Sequence, residues 1–274
     1  MKKDFFHVIS VADFRDLLQE MPPLAETEEF FLGQAQHRIL ARTYKAEGDL
    51  PPFHRSSMDG YAVRSRDTFG ASELNPAYLT WIGDVGIEAL PGFGLQSGQC
   101  ASIVTGAGLP EGADSVVMVE HTDEFGPNEI EIRKAVAPGE NVMHRGEDVS
   151  RGEPLVDLGQ RLRPQDLGLL AAFGIEKVQV AAQPRVGILS TGDELVAPGQ
   201  QPQPGQIRDV NSTALEAMCR QFGGRPQVYG IVPDDKSQLM TSLARAVQEC
   251  DLVFISGGSS IGTRDLTLEC LEGL

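Results

Sequence analysis

Two stretches of this 274-residue chain carry the residue types that hold phosphates and metal ions. Residues 185–196, Arg-Val-Gly-Ile-Leu-Ser-Thr-Gly-Asp-Glu-Leu-Val, run an apolar strand into Ser190, Thr191 and Gly192, with Asp193 and Glu194 directly after. Residues 252–265, Leu-Val-Phe-Ile-Ser-Gly-Gly-Ser-Ser-Ile-Gly-Thr-Arg-Asp, repeat the pattern: an apolar run, then Ser256, Gly257, Gly258, Ser259 and Ser260, then Asp265. Strands that end in small hydroxyl and glycine residues offer free backbone N–H groups to an anion. Two such ends side by side suggest a ligand crevice at the carboxyl edge of a parallel sheet. Asp193, Glu194, Asp209, the Asp234-Asp235 pair and Asp265 all fall at strand ends or helix starts. Acids in such places cap helices and oppose the helix dipole. Three or more converging on one edge would instead suit Mg²⁺, a hard ion that takes oxygen ligands and bridges phosphates. Spacing alone leaves both readings open, and each glycine turn also reads as a plain strand-to-loop connection.

Three clusters nearer the amino terminus carry weaker signals. In residues 50–63, Leu-Pro-Pro-Phe-His-Arg-Ser-Ser-Met-Asp-Gly-Tyr-Ala-Val, two prolines stiffen the entry and Asp59-Gly60 reads as a turn that could fix a carboxylate. An Asp bonded to its own backbone is the simpler account of such a turn. Residues 103–120 read as strand, glycine loop, strand, with Thr105-Gly106-Ala107-Gly108 able to approach an anion but lacking the lysine of a phosphate-binding loop. His144-Arg145-Gly146-Glu147-Asp148 puts both signs of charge within five residues, the ordinary look of a solvated cluster.

The elements that must position these groups change character along the chain. Ser10 caps a predicted helix over 11–21 with Val11, Phe14, Leu17 and Leu18 on one face, ended by Pro22-Pro23. A second helix is predicted over about 31–46. From about 60 to 140 short apolar runs at 100–104, 115–119 and 129–136 alternate with Gly, Pro and Asp, the signature of a β-rich unit. An apolar helix follows near 164–173, ended by Gly174, then a short strand at 178–180. After Pro184 the order is strand 185–190, helix 212–222 capped by Asn211, strand 228–232, helix 236–249, strand 251–256, and a further helix from 265. That alternation predicts a parallel, doubly wound sheet. Three strands make a thin sheet, so the expectation is that the carboxyl end is truncated or that a partner completes the domain, leaving an edge strand prone to pairing or aggregation.

Composition narrows the class. Apolar residues at 41% and charged residues at 23% suit a soluble globular protein of two or three domains. A formal charge of −16, from 23 basic and 39 acidic residues, argues against a nucleic-acid surface and requires a metal or clustered bases for any anionic ligand. Cys100, Cys219, Cys250 and Cys270 form no CxxC pair and read as reduced thiols of a cytoplasmic protein. Neither a signal peptide nor a membrane span is expected, because no apolar run approaches about 18 residues. Trp81 and five scattered histidines give no metal signature.

Taken in order, the motifs say more than any one of them. Pro-Pro-Phe…Ser-Met-Asp-Gly-Tyr-Ala-Val, Thr-Gly-Ala…Leu-Pro…Gly-Ala-Asp…Val-Val…Glu, Gly-Glu-Asp-Val, Ser-Thr-Gly-Asp-Glu-Leu…Pro-Gly, Gly-Gln-Ile-Arg-Asp-Val-Asn and Ser-Gly-Gly-Ser-Ser-Ile-Gly succeed one another from about residue 10 onward. This series resembles the molybdopterin molybdenumtransferase family, the MoeA proteins and the E domain of gephyrin.

The resemblance implies a multidomain α+β and α/β fold. An elongated discontinuous domain (1–50 and 141–183) would carry an inserted β-rich domain (51–140), followed by an incomplete three-layer α/β molybdopterin-binding domain (184–274). It implies a cytoplasmic homodimer whose cleft joins the α/β domain of one subunit to the other two domains of its partner, with no nucleic-acid or membrane partner. Adenylylated molybdopterin would be bound, molybdate inserted at the dithiolene, and AMP released with Mg²⁺. By motif position the family's functional acids and hydroxyl fall on Asp59, Thr105, Asp148, Glu194, Asp234 and Asp265, with Glu194, Asp234 and Asp265 as metal ligands. Ser190, Thr191, Gly192, Asp193, Asp209, Asn211, Ser256, Gly257, Gly258, Ser259 and Ser260 would line the pterin and phosphate site. Ser259 stands where the family usually has Val, and Arg264 where a small or aromatic residue is usual. The family pattern continues with a Lys-Pro-Gly-Lys-Pro segment, a Gly-Leu-Pro-Gly-Asn-Pro turn and a fourth, β-type domain, none of them in these 274 residues. Two rival expectations follow: a catalytically incompetent pterin-binding or scaffold module, and, with less support, a nucleotide-dependent enzyme of unrelated chemistry.

Overall fold

The computed structural model describes residues 9–257 and 266–274. They form a multidomain α+β and α/β protein of two compact units. One unit comprises Thr43–Asp157 with Gly168–Gly174. The other comprises the described residues through Arg42, Leu158–Leu167 and those from Ile175 onward.

The β-rich unit is a six-stranded sheet in the order Ser115–Met118, Gly60–Val63, Gln99–Ile103, Ala77–Val85, Glu129–Ile132, Thr122–Glu124. Its neighbours are antiparallel except the parallel pair Ala77–Val85 and Gln99–Ile103. Successive strand residues point to opposite faces, and here both faces are apolar. Ala62, Ala101 and Val116 enter one core with Val85 and Ile103, while Val63, Cys100 and Val117 enter the other with Leu79, Ile130 and Ile132. Each such Val or Ile contributes roughly 1.5–3 kcal/mol on full burial. The chain enters and leaves the sheet through a stem. Tyr44–Lys45 pairs with Pro154–Val156, Leu50 bridges Val149, and Arg55–Ser56 pairs with Val142–Met143. The stem sets Pro51-Pro52-Phe53 beside residues 144–148: Gly146 N–H donates to Pro51 O, and Asp148 N–H to Leu50 O, each at 3.0 Å.

In the second unit the parallel sheet predicted for 185–256 is present, ordered Arg225–Val232, Arg185–Thr191, Leu252–Ser256. The first strand in sequence is central, so the two crossovers run in opposite directions. Helix Lys236–Glu249, whose bounds match the predicted ones, buries Leu239 and Leu243 against Leu189 and Val232; Leu266 and Cys270 of helix Leu266–Leu271 join that cluster. Leu215 and Met218 of helix Asn211–Gln221 line an apolar groove with Val186, Leu252 and Phe254. Those strand residues alternate with Leu189, Val253 and Ile255, so the two crossover helices take opposite faces.

Two expectations are corrected. No helix covers 31–46: Thr27–Phe31 is a strand paired residue for residue with Lys177–Ala181, and only a single 3₁₀ turn follows at Leu32–Gln34. Long-range pairing outweighs local apolar spacing here, and His37 at φ 66° would break a helix in any case. The other correction concerns helix Asn211–Gln221. Asn211 is its first residue rather than its cap: its Nδ2 donates to Ser256 Oγ, and the carboxylate that accepts a first-turn amide, that of Ser212, belongs to Asp209. Helix Val11–Gln19 begins as predicted, with Ser10 and Asp13 forming a reciprocal capping box, and buries none of its residues.

Candidate functional site

The carboxyl ends of the central and last strands in the α/β unit gather most of the sequence-predicted binding residues. Period-two alternation sends Ser190 and Ser256, a cross-strand pair, to the face of helix Asn211–Gln221, and Thr191 to the opposite face. The buried Ser190 hydroxyl lies 2.9 Å from that of Ser212, and Asn211 Nδ2 donates to Ser256 Oγ at 2.6 Å. On the other side Thr191 Oγ1 donates to Asp234 Oδ1 at 2.9 Å, and the Asp234 N–H donates to Asp193 Oδ1 at 3.1 Å. Ser190 and Thr191 are thus buried supports, while Asp193, Glu194, Asn211, Asp234 and Gly257 face solvent.

Two glycines let the backbone close in at this edge. A Cβ on Gly257, at φ 107°, would stand 2.1 Å from Thr191 O. A Cβ on Gly192 would meet the Glu194 carboxylate at 2.6 Å, so that side chain folds back over the turn. Asp209, only 5% exposed, accepts the Ser212 N–H at 3.1 Å. Burial alone would raise its pKa, but hydrogen bonds from Ser212, Ser190 and the Asn211 amide outweigh it and hold the carboxyl below its ordinary range.

Carboxylates at this edge are hard oxygen donors of the kind Mg²⁺ takes. Among the described residues no three His, Cys or carboxylate groups converge tightly enough to hold an ion alone. Mg²⁺ usually binds through one or two carboxylates plus substrate phosphates and water, and Glu194 and Asp234 are exposed carboxylates at this edge. Gly258, Ser259, Ser260 and Asp265 lie outside the described residues.

In the β-rich unit, Asp59 and Thr105 meet although 46 positions separate them. The Thr105 N–H donates to Asp59 Oδ1 at 2.6 Å and its hydroxyl to the same oxygen at 2.7 Å. These bonds hold the Asp59 carboxyl below its ordinary range. Adjacent strands Gly60–Val63 and Gln99–Ile103 bring them together. Gly60, read from sequence as a turn glycine, instead starts a strand, and its Cβ would stand 1.9 Å from Val117 O. Asp148 is exposed on the stem, its amide bonded to Leu50 O. Sequence reading missed Ser212, although Asp209-Val-Asn-Ser212 has the spacing of a cap: an Asp three residues before the amide it accepts.

Residues 9–174 match the family described as MoeA N-terminal region (domain I and II), and residues 187–274 match that described as Probable molybdopterin binding domain. The chain is similar to the molybdopterin molybdenumtransferase of Nostoc sp., 37% identical over 94% of the chain and 59% of the relative. It is likewise similar to that of Bacillus subtilis, 36% identical over 91% and 59%. It therefore spans about three-fifths of the length of these curated relatives. The fold is similar to a crystal structure of the molybdopterin biosynthesis MoeA protein from Pyrococcus horikoshii, with TM-score 0.82 and 40% identity over 89% of this chain and 64% of that one.

Proposed function

Because the chain belongs to the MoeA family of molybdopterin molybdenumtransferases, we propose that it works in molybdenum cofactor biosynthesis, binding adenylylated molybdopterin and inserting molybdate at the dithiolene with release of AMP. The observation that carries this reading is the α/β edge, where Asn211 meets Ser256 and Thr191 meets Asp234 across the two strand ends. A pterin phosphate is anionic and polar. Glycine-turn amides at one sheet edge suit it without a lysine-bearing phosphate loop, the first amides of both crossover helices being taken already by Asp209 and Asp235.

The residues divide the work by position. Ser190 and Thr191 hold the turn, fixed by Ser212 and Asp234, so that the amides after them stay oriented. Asn211 and Ser256 present hydrogen-bonding groups at the opening. Mg²⁺ is proposed at Glu194 and Asp234, with Asp265 as the third ligand assigned by motif position. When bound, the ion supplies charge compensation at the leaving adenylate. Asp59, Thr105 and Asp148 take their roles from the family pattern alone. A homodimer and a cytoplasmic location complete the proposal. The described cysteines are free thiols, which suits a reducing compartment. No described helix is long and apolar enough to cross a membrane.

The experiment that tests the reading measures AMP release from adenylylated molybdopterin and Mg²⁺ by this chain, with and without molybdate. Molybdate-dependent release is the expected result. Pterin binding with no release would replace the transferase by a binding or scaffold module. Tight binding of a plain nucleotide with no affinity for pterin would overturn both.

A further inference from the structure

His54 and His144 are 90 positions apart, yet the stem of the β-rich unit sets their Nδ1 atoms 3.3 Å from each other. The rings stand edge to face at 84°, with centroids 5.3 Å apart. Each is held from more than one side. His54 Nδ1 accepts the Arg145 amide at 3.2 Å, and its carbonyl accepts the Leu109 N–H at 3.0 Å. The His144 amide donates to Glu147 Oε2 at 2.6 Å, and its ring lies against Gly139, where a Cβ would come 3.1 Å from Nε2. Gly139 has φ 81°, so the backbone favours glycine there as well. Both histidines line a cleft of about 880 Å³, walled by Phe53, Leu90, Leu109 and Val142.

We propose that His54 and His144 form a two-imidazole site for a divalent transition-metal ion of the zinc type. Two nitrogens bound at about 2.0–2.1 Å to one tetrahedral ion lie about 3.4 Å apart, which is the separation found here. Binding requires His144 to carry its proton on Nε2, the other tautomer of a neutral imidazole. The ion displaces two long hydrogen bonds at His54 Nδ1, one from the Arg145 amide at 3.2 Å and one shared with His144 Nδ1 at 3.3 Å. An anion is the rival occupant, and the surrounding charge decides against it. Arg145, which lines the cleft, is paired with Asp49 at 2.6 Å, while Glu147 and Asp148 follow on the same loop and Glu111 and Asp114 line the cleft as well. Imidazole selects zinc or copper(II) over magnesium, so this site does not compete for the ion proposed at the α/β edge. No third described His, Cys or carboxylate joins the pair closely, and water completes the coordination.

The test is calorimetric titration of the full chain with zinc in excess magnesium, for the wild type, His54→Gln, His144→Gln and the double variant. One zinc per chain is expected, weakened at least tenfold by either single substitution. Ring resonances of both histidines should shift together in an NMR titration of the wild type, a reading that needs no variant to fold. Binding weakened less than tenfold in the double variant, which would put the ion on Cys219, Cys250 or elsewhere, overturns the proposal. So does a wild type that takes up no zinc, or one whose two histidine signals do not respond.

Discussion

Asp59 Oδ1 accepts two hydrogen bonds from one residue, the Thr105 amide at 2.6 Å and the Thr105 hydroxyl at 2.7 Å. Both favour the ionised carboxylate and lower its pKa. Thr105→Val removes the hydroxyl bond and keeps the amide, so the Asp59 carboxyl should titrate closer to its ordinary value. The sign follows from linkage. A depressed folded-state pKa contributes stability that is present above the unfolded value and is lost as pH falls through the folded one. The variant should therefore be less stable near neutral pH, with the difference closing in acid. Carbon-13 NMR of Asp59 across a pH series measures the shift; an unchanged titration curve in the variant would refute it.

Gly60 separates close approach from turn chemistry. A Cβ there would stand 1.9 Å from Val117 O, a backbone atom in the neighbouring strand that cannot swing aside. Gly60→Ala should cost at least the roughly 1–3 kcal/mol usual for overpacking. Gly48→Ala, in the same unit and with nothing within 4 Å of its Cβ, should stay within about 0.5 kcal/mol. Urea unfolding of the two variants side by side decides the matter, and equal midpoints would show that the sheet can shift to admit the methyl group.

What the sequence made legible follows the range of the forces involved. Helix Lys236–Glu249 was readable to the residue because Asp235 caps it and Leu239, Leu243 and Ala246 recur at helical spacing. Strand Arg225–Val232 was read three residues short, since Arg225, Pro226 and Gln227 carry no apolar signal and are strand only by pairing with Arg185, Val186 and Gly187. Strand Thr27–Phe31 carries no strand signal in the sequence, and a helix is expected from about 31 instead, because its partner, Lys177–Ala181, is remote along the chain. The candidate site divides in the same way. Ser-Thr-Gly and Ser-Gly-Gly at strand ends were local patterns, whereas the bonds that fix them, Ser190 to Ser212 and Thr191 to Asp234, cross the fold. Sequence also named Asp59 and Thr105 separately, and only strand adjacency makes them partners.

Asp209 should matter more to stability than Asn211. Asp209 is buried, accepts the Ser212 amide in the first turn of helix Asn211–Gln221, and is kept ionised by Ser212 and Ser190 despite its burial. Asp209→Ala should lose about 1–2 kcal/mol, the usual range for a helix cap. The loss should fade in acid, because this carboxyl too has a lowered pKa. Asn211→Ala removes an exposed bond to Ser256 and should cost less than about 1 kcal/mol. Thermal melts at neutral and acid pH compare them, and a larger loss for Asn211→Ala would reverse the assignment of the cap.

Cys100 should report on unfolding of the β-rich unit. Its side chain is fully buried among Val63, Leu79 and Val117, and burial pushes its thiol pKa up to about 12. The reactive species is the thiolate, so at pH 8 an alkylating agent should find almost none of it at this position. Cys219 and Cys250 are partly exposed and should be modified first in the native protein. Buried Cys270 should follow only when its own cluster with Leu239 and Leu243 opens. Cys100 labelling should then rise with urea in step with loss of the sheet. Peptide-resolved mass spectrometry after a short iodoacetamide pulse reads all four sites at once. Native-state labelling of Cys100 at the rate of Cys219 would mean that the sheet opens locally without unfolding.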